Sequence, residues 1–187
     1  YSSAASDVYK RQIKNIDVDY VLWLDADTYT FRSIPKDFVT NLLPFDKLVN
    51  YLGRGNKYPE CGWVCYNRRH VLIKKFMDTW TNLYKQDTIF KELEWHDSYI
   101  FWQVLKRVAP EHGVDIGKGA GAKGHHIFIN SVLGAYLDHM KGKRKAKGKS
   151  SASDLKSTRN ETYWKNVESY DPFAGIKFDA KKDINEN

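Results

Sequence analysis

The chain has 187 residues, 42% hydrophobic and 28% charged, the size and makeup of one folded domain with its own core. Lys and Arg number 30 against 23 Asp and Glu, a net charge of +7 that favours phosphate-bearing partners: nucleotides, nucleic acid or lipid head groups. Two cysteines, Cys61 and Cys65, are too few for a disulfide framework or a four-ligand zinc site, and no apolar run is long enough to span a bilayer.

Ser2–Gln12, SSAASDVYKRQ, back-translates in frame into a string resembling a transposase-type sequencing-library adapter. It is set aside as one sets aside a tag, so native sequence is expected from Ile13, inside a domain truncated at its N-terminal side. Asp19–Leu24 is a nearly continuous apolar run that ends in Asp25-Ala26-Asp27-Thr28, which reads as a buried strand closing in an acidic loop. Ser33 and Pro35 suggest the cap and first turn of a helix through Leu43. Lys47–Leu52 reads as a strand, residues 53–59 as a glycine-bearing loop, and Gly62–Tyr66 as a buried strand.

From Arg68 to Lys85 the residues Leu72, Ile73, Phe76, Met77, Trp80, Leu83 and Tyr84 recur at helical spacing, with Asn67 as cap. Asp97–Val108 gives a second helix, stopped by Pro110. Glycines at 113, 117, 119, 121 and 124 mark a flexible stretch. Ile127–Ile129 reads as a short strand and Val132–Met140 as a further helix. Residues 150–187 read as a polar extension, weakly patterned and at best partly ordered, and its Asn160-Glu161-Thr162 is taken as a chance glycosylation pattern. Strands alternating with helices predict an α/β fold for residues 13–149. With no secretion signal, a cytoplasmic, reducing location is the expectation.

Open α/β sheets bind ligands at the carboxyl ends of their strands, where Asp25 and Asp27 stand. Two carboxylates one residue apart can face a single hard divalent cation, and such a cation can hold the two phosphates of a nucleotide. Alone, D-x-D is a weak signal, and most such tripeptides are solvated turns.

The run Tyr20-Val21-Leu22-Trp23-Leu24-Asp25-Ala26-Asp27-Thr28, with Ile34-Pro35 after it, resembles the D-x-D strand of GT-A glycosyltransferases, most closely family 8, the glycogenin and galactosyltransferase-like branch. His139, Gly142 and Lys145 fit that family's late H-x-x-G-x-x-K motif. Glu60-Cys61-Gly62 with Asn67 resembles its N-S-G segment beside the donor sugar. His96-Asp97-Ser98 falls where it carries an acidic residue near the reacting carbon. The resemblance implies a GT-A fold and Mn²⁺ or Mg²⁺ on Asp25, Asp27 and His139. Gly142 and Lys145 would contact the diphosphate of a nucleotide-sugar donor, UDP-sugar first, and Asp97 the sugar. The acceptor implied is a hydroxyl, of a glycan, lipid or protein that the sequence does not identify. The resemblance implies retention of anomeric configuration; inversion would require Asp97 or Glu60 as general base.

This sequence departs from the pattern. Glu60 and Cys61 replace Asn and Ser, Ser98 stands where Gln is common, and Ala146-Lys147 replaces Pro-Trp. On the adapter reading, the early strand that holds the nucleobase in this family is expected to be missing. Asp97 can equally cap the helix that follows it, and Glu60 can be an acceptor contact or a plain loop carboxylate. The basic run of Lys141, Lys143, Arg144, Lys145, Lys147 and Lys149 keeps two other readings in play: a non-catalytic nucleic-acid-binding module, or a glycosyltransferase-like structural relative without turnover. His125 and His126 are not taken as ligands, because adjacent histidines rarely serve one ion.

Overall fold

A computed structural model describes residues 17–118, 120 and 126–159. The expected adapter segment, His125, Asn160 and the rest of the extension lie outside them. The fold is mixed α/β. Its main sheet has the order β1 (Tyr20–Leu24), β4 (Lys57–Asn67), β3 (Val49–Arg54), β5 (Gly113–Asp115). The β1–β4 and β4–β3 pairs are antiparallel and β3–β5 is parallel. A second, two-stranded antiparallel sheet joins β2 (Thr28–Thr30) to β6 (Leu137–His139).

Period-2 alternation gives the main sheet two faces. Val21, Trp23, Val49, Tyr51, Val64 and Tyr66 meet the amphipathic helices α2 (Ile73–Lys85) and α3 (Asp97–Val108), whose Phe76, Trp80 and Phe101 fill that core. The rings of Phe76, Trp80 and Phe101 pack mutually with centroids 5.8–6.1 Å apart, within the range of favourable aromatic pairs. Leu52 and Trp63 point the other way. They join Phe38 and Leu42 of α1 (Phe38–Leu42), Phe128 of α4 (Ile127–Asn130) and Leu137 of β6.

Several elements differ from the sequence expectation. The first helix is only α1, because residues 33–37 form a turn in which Pro35 O accepts the Phe38 N–H. The expected loop at 53–59 is a hairpin. β3 runs through Gly53 to a tight turn at Gly55, whose φ of +65° suits glycine. Gly53 is required for contact: its N–H donates to Asp115 Oδ1 at 2.7 Å, and a Cβ there would lie 2.1 Å from that carboxylate. Asn67 ends β4 instead of capping a helix, its amide donating to Phe45 O and Lys47 O. Residues 127–129 are helical in α4. The expected helix 132–140 is a 3-10 turn (Val132–Ala135) followed by β6. The chain folds back at Gly134, where a Cβ would stand 2.0 Å from Ile129 O, so a sidechain-bearing residue cannot hold that turn.

The start of the polar extension is packed. Ser150 donates to Asp138, α6 (Ala152–Thr158) opens with a Ser151–Asp154 capping box, and buried Arg159 donates to Gly134 O and Leu137 O. Cys61 and Cys65 are buried free thiols. Among the described residues no helix is long and apolar enough to cross a membrane.

Candidate metal centre

Two local features deliver the acidic pair. β1 ends at Leu24, and Asp25 N–H donates to Gly62 O at 3.0 Å, which holds Asp25 against β4. A turn then closes with Thr28 N–H on Asp25 O, and β2 begins. Because β2 pairs with β6 in the register Thr28↔His139, the imidazole of His139 lands beside Asp27, and Met140 N–H secures the join on Asp27 O. His139 Nε2 is 2.9 Å from Asp27 Oδ1 and 3.4 Å from Asp25 Oδ2. One ligand atom from each of the three lies within 4.8 Å of the others. Strand pairing therefore joins residues that the sequence motif only aligns.

Exposure is graded across the triad: 1% for the His139 side chain, 13% for Asp27 and 39% for Asp25. Burial raises the Asp25 carboxyl above its ordinary range; His139 opposes this, while Asp27 and Asp97 add to it. Burial also pushes Asp27 upward, but Lys145, His139 and Lys141 together outweigh it and hold that carboxyl below the usual range. Burial and Lys141 hold His139 below an ordinary histidine, against the pull of both aspartates. The ring is thereby kept neutral near pH 7, the form that ligates metals.

Lys145 and Lys141 reach the same carboxylate from β6's far end. Lys145 Nζ is 2.9 Å from Asp27 Oδ2; Lys141 Nζ is 3.9 Å from it and 3.0 Å from His139 Nε2. Gly142 begins α5 (Lys143–Lys147) with φ +57° and ψ −128°, a conformation that side-chain-bearing residues rarely adopt. The basic run is not a uniform surface. Lys143, Lys147 and Lys149 are exposed, whereas Arg144 turns inward, its Nε 3.5 Å from Asp138 Oδ2.

Asp97 is the first residue of α3, and His96 is its cap, Nδ1 accepting the Tyr99 N–H. Asp97 Oδ1 accepts the Ser98 N–H at 2.8 Å, and its charge reaches Asp25 and Cys61. Glu60 lies on the opposite side of His139, its Oε1 3.8 Å from Nδ1. It is brought there by a slip in register: Tyr51 faces Val64 but Leu52 faces Glu60, so Cys61, Gly62 and Trp63 stand opposite no residue of β3. Burial raises the Glu60 carboxyl to about 7, against a hydrogen bond from Gly62 N–H.

All seven sequence candidates are therefore described. Asp25, Asp27, His139 and Lys145 meet directly, Glu60 approaches His139, Gly142 starts the adjoining helix, and Asp97 couples through its charge. Two neighbours of this cluster were passed over in the sequence. Lys141 was hidden within the basic run. His126 was set aside for having a histidine neighbour, yet its ring stands edge-on to His139 with centroids 5.0 Å apart. Burial, then the proximity of His139, drops His126 to about 4. No protein-family model, curated protein or solved structure matches the chain.

Proposed function

We propose that the chain is the metal- and diphosphate-binding part of a GT-A-type glycosyltransferase that moves a sugar from a nucleoside diphosphate sugar, a UDP-sugar first, to a hydroxyl acceptor. The observation that carries this reading is the convergence of two carboxylates, one buried neutral imidazole and Lys145, which lies 118 residues from the Asp27 it touches. The donor set fits a cation: two hard oxygens suit Mn²⁺ or Mg²⁺, and the imidazole nitrogen tilts the choice toward Mn²⁺. Such an ion would neutralise charge developing on a departing diphosphate.

The chain's own residues would do the rest. Lys145 and Lys141 have 64% and 52% exposed side chains, so their ammonium groups are free to swing from Asp27 to phosphate oxygens. Gly142 lets the backbone come close at that point. Asp97 would orient the sugar from the start of α3. Glu60, titrating near neutrality, can exchange a proton at the acceptor side if the reaction inverts configuration.

The nucleic-acid reading is less favoured because Arg144, in the middle of the basic run, is turned inward toward buried Asp138. Calorimetry with UDP, with and without Mn²⁺, on the chain and on Asp27→Ala tests the choice. The expected result is Mn²⁺-dependent binding that Asp27→Ala abolishes. Salt-sensitive RNA or DNA binding that Asp27→Ala leaves intact would replace the transferase reading with the nucleic-acid one.

A further inference from the structure

Behind the Asp25–Asp27 side of His139 lies a second cluster, in which His126 has no part in the proposed transfer and Glu60 has one only if the reaction inverts. Glu60, His126 and His139 each offer one ligand atom, and these atoms lie within 4.8 Å of one another. Glu60 Oε2, His126 Nδ1 and His139 Nδ1 are all buried, and none has a hydrogen-bond partner. Buried polar atoms are nearly always paired, so three orphans on three adjoining side chains mark a place made for something they bind. Glu60 Oε1 and His139 Nδ1, 3.8 Å apart, are too distant for a hydrogen bond. Two ligands of one zinc-sized ion lie about 3 to 4 Å apart, which that spacing fits.

The surroundings hold these groups in place. Backbone O of His126 accepts from the N–H and the side-chain amide of Asn130, which seats His126 at the start of α4. Gly62 closes the cluster from β4, where a Cβ would come within 2.9 Å of Glu60 Oε1 and 3.0 Å of His139 Cε1.

We propose that Glu60, His126 and His139 form a second cation site, selective for zinc-like ions, that competes with the Asp25–Asp27 centre for His139. Two imidazoles and one carboxylate with a position left open are a zinc donor set, whereas two carboxylates and one imidazole suit a harder ion. His139 faces the two sites through opposite nitrogens: Nε2 toward Asp25 and Asp27, Nδ1 toward Glu60. A neutral imidazole has one lone pair to donate and one N–H. Zinc on Nδ1 leaves the proton on Nε2, where Asp27 Oδ1 at 2.9 Å accepts it as an orienting carboxylate. A cation on Nε2 leaves the proton on Nδ1 instead, so one ring serves one site at a time. The site stands on its own donor atoms and does not require the transferase reading.

Zn²⁺ and Mn²⁺ are titrated separately into the chain by equilibrium dialysis with elemental analysis, with Co²⁺ absorption reporting the zinc-type ligand field. His126→Ala is expected to weaken zinc binding by at least the roughly 10- to 100-fold that losing an outer-shell partner costs, and to leave Mn²⁺ binding unchanged. Asp25→Asn is expected to do the reverse. Zinc should weaken Mn²⁺ binding in the unaltered chain and not in His126→Ala. Glu60→Gln gives a second reading of the zinc site, and circular dichroism confirms that each variant is folded. Zinc affinity unchanged in folded His126→Ala, or lowered as much by Asp25→Asn, would overturn the proposal in favour of one shared centre. Zinc binding that depends on His126 in a chain that shows no Mn²⁺-dependent UDP binding would support this site and remove the transferase reading alone.

Discussion

On one face of the main sheet, Val49, Val64 and Tyr66 meet Phe76, Trp80 and Phe101 in an aliphatic and aromatic core. On the other face, the cluster around Trp63 and Phe128 adjoins buried Asp138, His139, Arg144 and Arg159. The first face stabilises the fold, since each large apolar side chain removed from water contributes about 1.5–3 kcal/mol. The second gives up part of that gain. Its ionisable groups lose hydration, and such pairs are seldom more stable than apolar packing of the same volume. The difference teaches where chemistry is housed: the helical face supplies the stability that lets the opposite face hold charged side chains in fixed positions.

The sharpest way to break that division is Phe101→Ala, expected to lower stability by about 3–5 kcal/mol in urea denaturation. At temperatures where the variant stays folded, its Mn²⁺ affinity should match the parent; loss of affinity there would show that the two faces are not separable. Asp138→Ala strands Arg144 beside an apolar gap and is expected to cost about 3–5 kcal/mol in the same assay. Unlike Phe101→Ala it should also weaken Mn²⁺ binding, because Asp138 precedes His139 in β6. Gly62→Ala crowds Glu60 and His139 and should cost about 1–3 kcal/mol, with a larger loss in cation affinity than its stability change explains.

The smallest expected effect is a pH dependence remote from the Asp25–Asp27–His139 cluster. Burial, then the charge of His112, holds His70 below its ordinary value of 6.5, and its Nε2 lies 3.1 Å from His112 Nδ1. The unfolded chain therefore takes up the proton first as pH falls. Stability is full above about 6.5 and declines as pH drops below it toward the folded value. Melting curves between about pH 7.5 and 5.5 should show the decline; His70→Gln should make it shallower without removing it, because His126, held at about 4, adds a decline of the same sign.

What could be read in advance was local. The apolar run into Asp25-Ala26-Asp27 became β1 and its turn, though as an edge strand with Leu22 and Leu24 exposed and not the buried strand expected; helical periodicity found α2 and α3, because burial against a single partner face leaves a regular trace in sequence. Residues 127–140 defeated the same reasoning. Two short elements folded back at Gly134 leave apolar residues whose combined spacing mimics a helix. Gly53 looked like loop punctuation because the Asp115 carboxylate that it accommodates is 62 residues away. For the site, the motif singled out His139 by spacing, and the fold sets it beside Asp25 and Asp27, but the spacing had no means of showing that it is buried in a strand. The approach of Glu60 arises from the slipped register of β4, and that of His126 from the seating of α4, neither of which a linear pattern encodes.

The short ladder between β2 and β6 also bears on how the molecule comes together. Its strands have three residues each, and it joins Thr28 to His139 across most of the described chain. Closing so long a loop is slow and costs entropy before so few hydrogen bonds can compensate. The ladder is thus expected to assemble late, and its three residue pairs supply few hydrogen bonds to hold it against opening. A cation held by Asp25, Asp27 and His139 would act as a clasp on that opening, adding about 2.7 kcal/mol when present at roughly a hundred times its Kd. Metal supply would then govern how long the native chain persists, apart from any reaction it carries out.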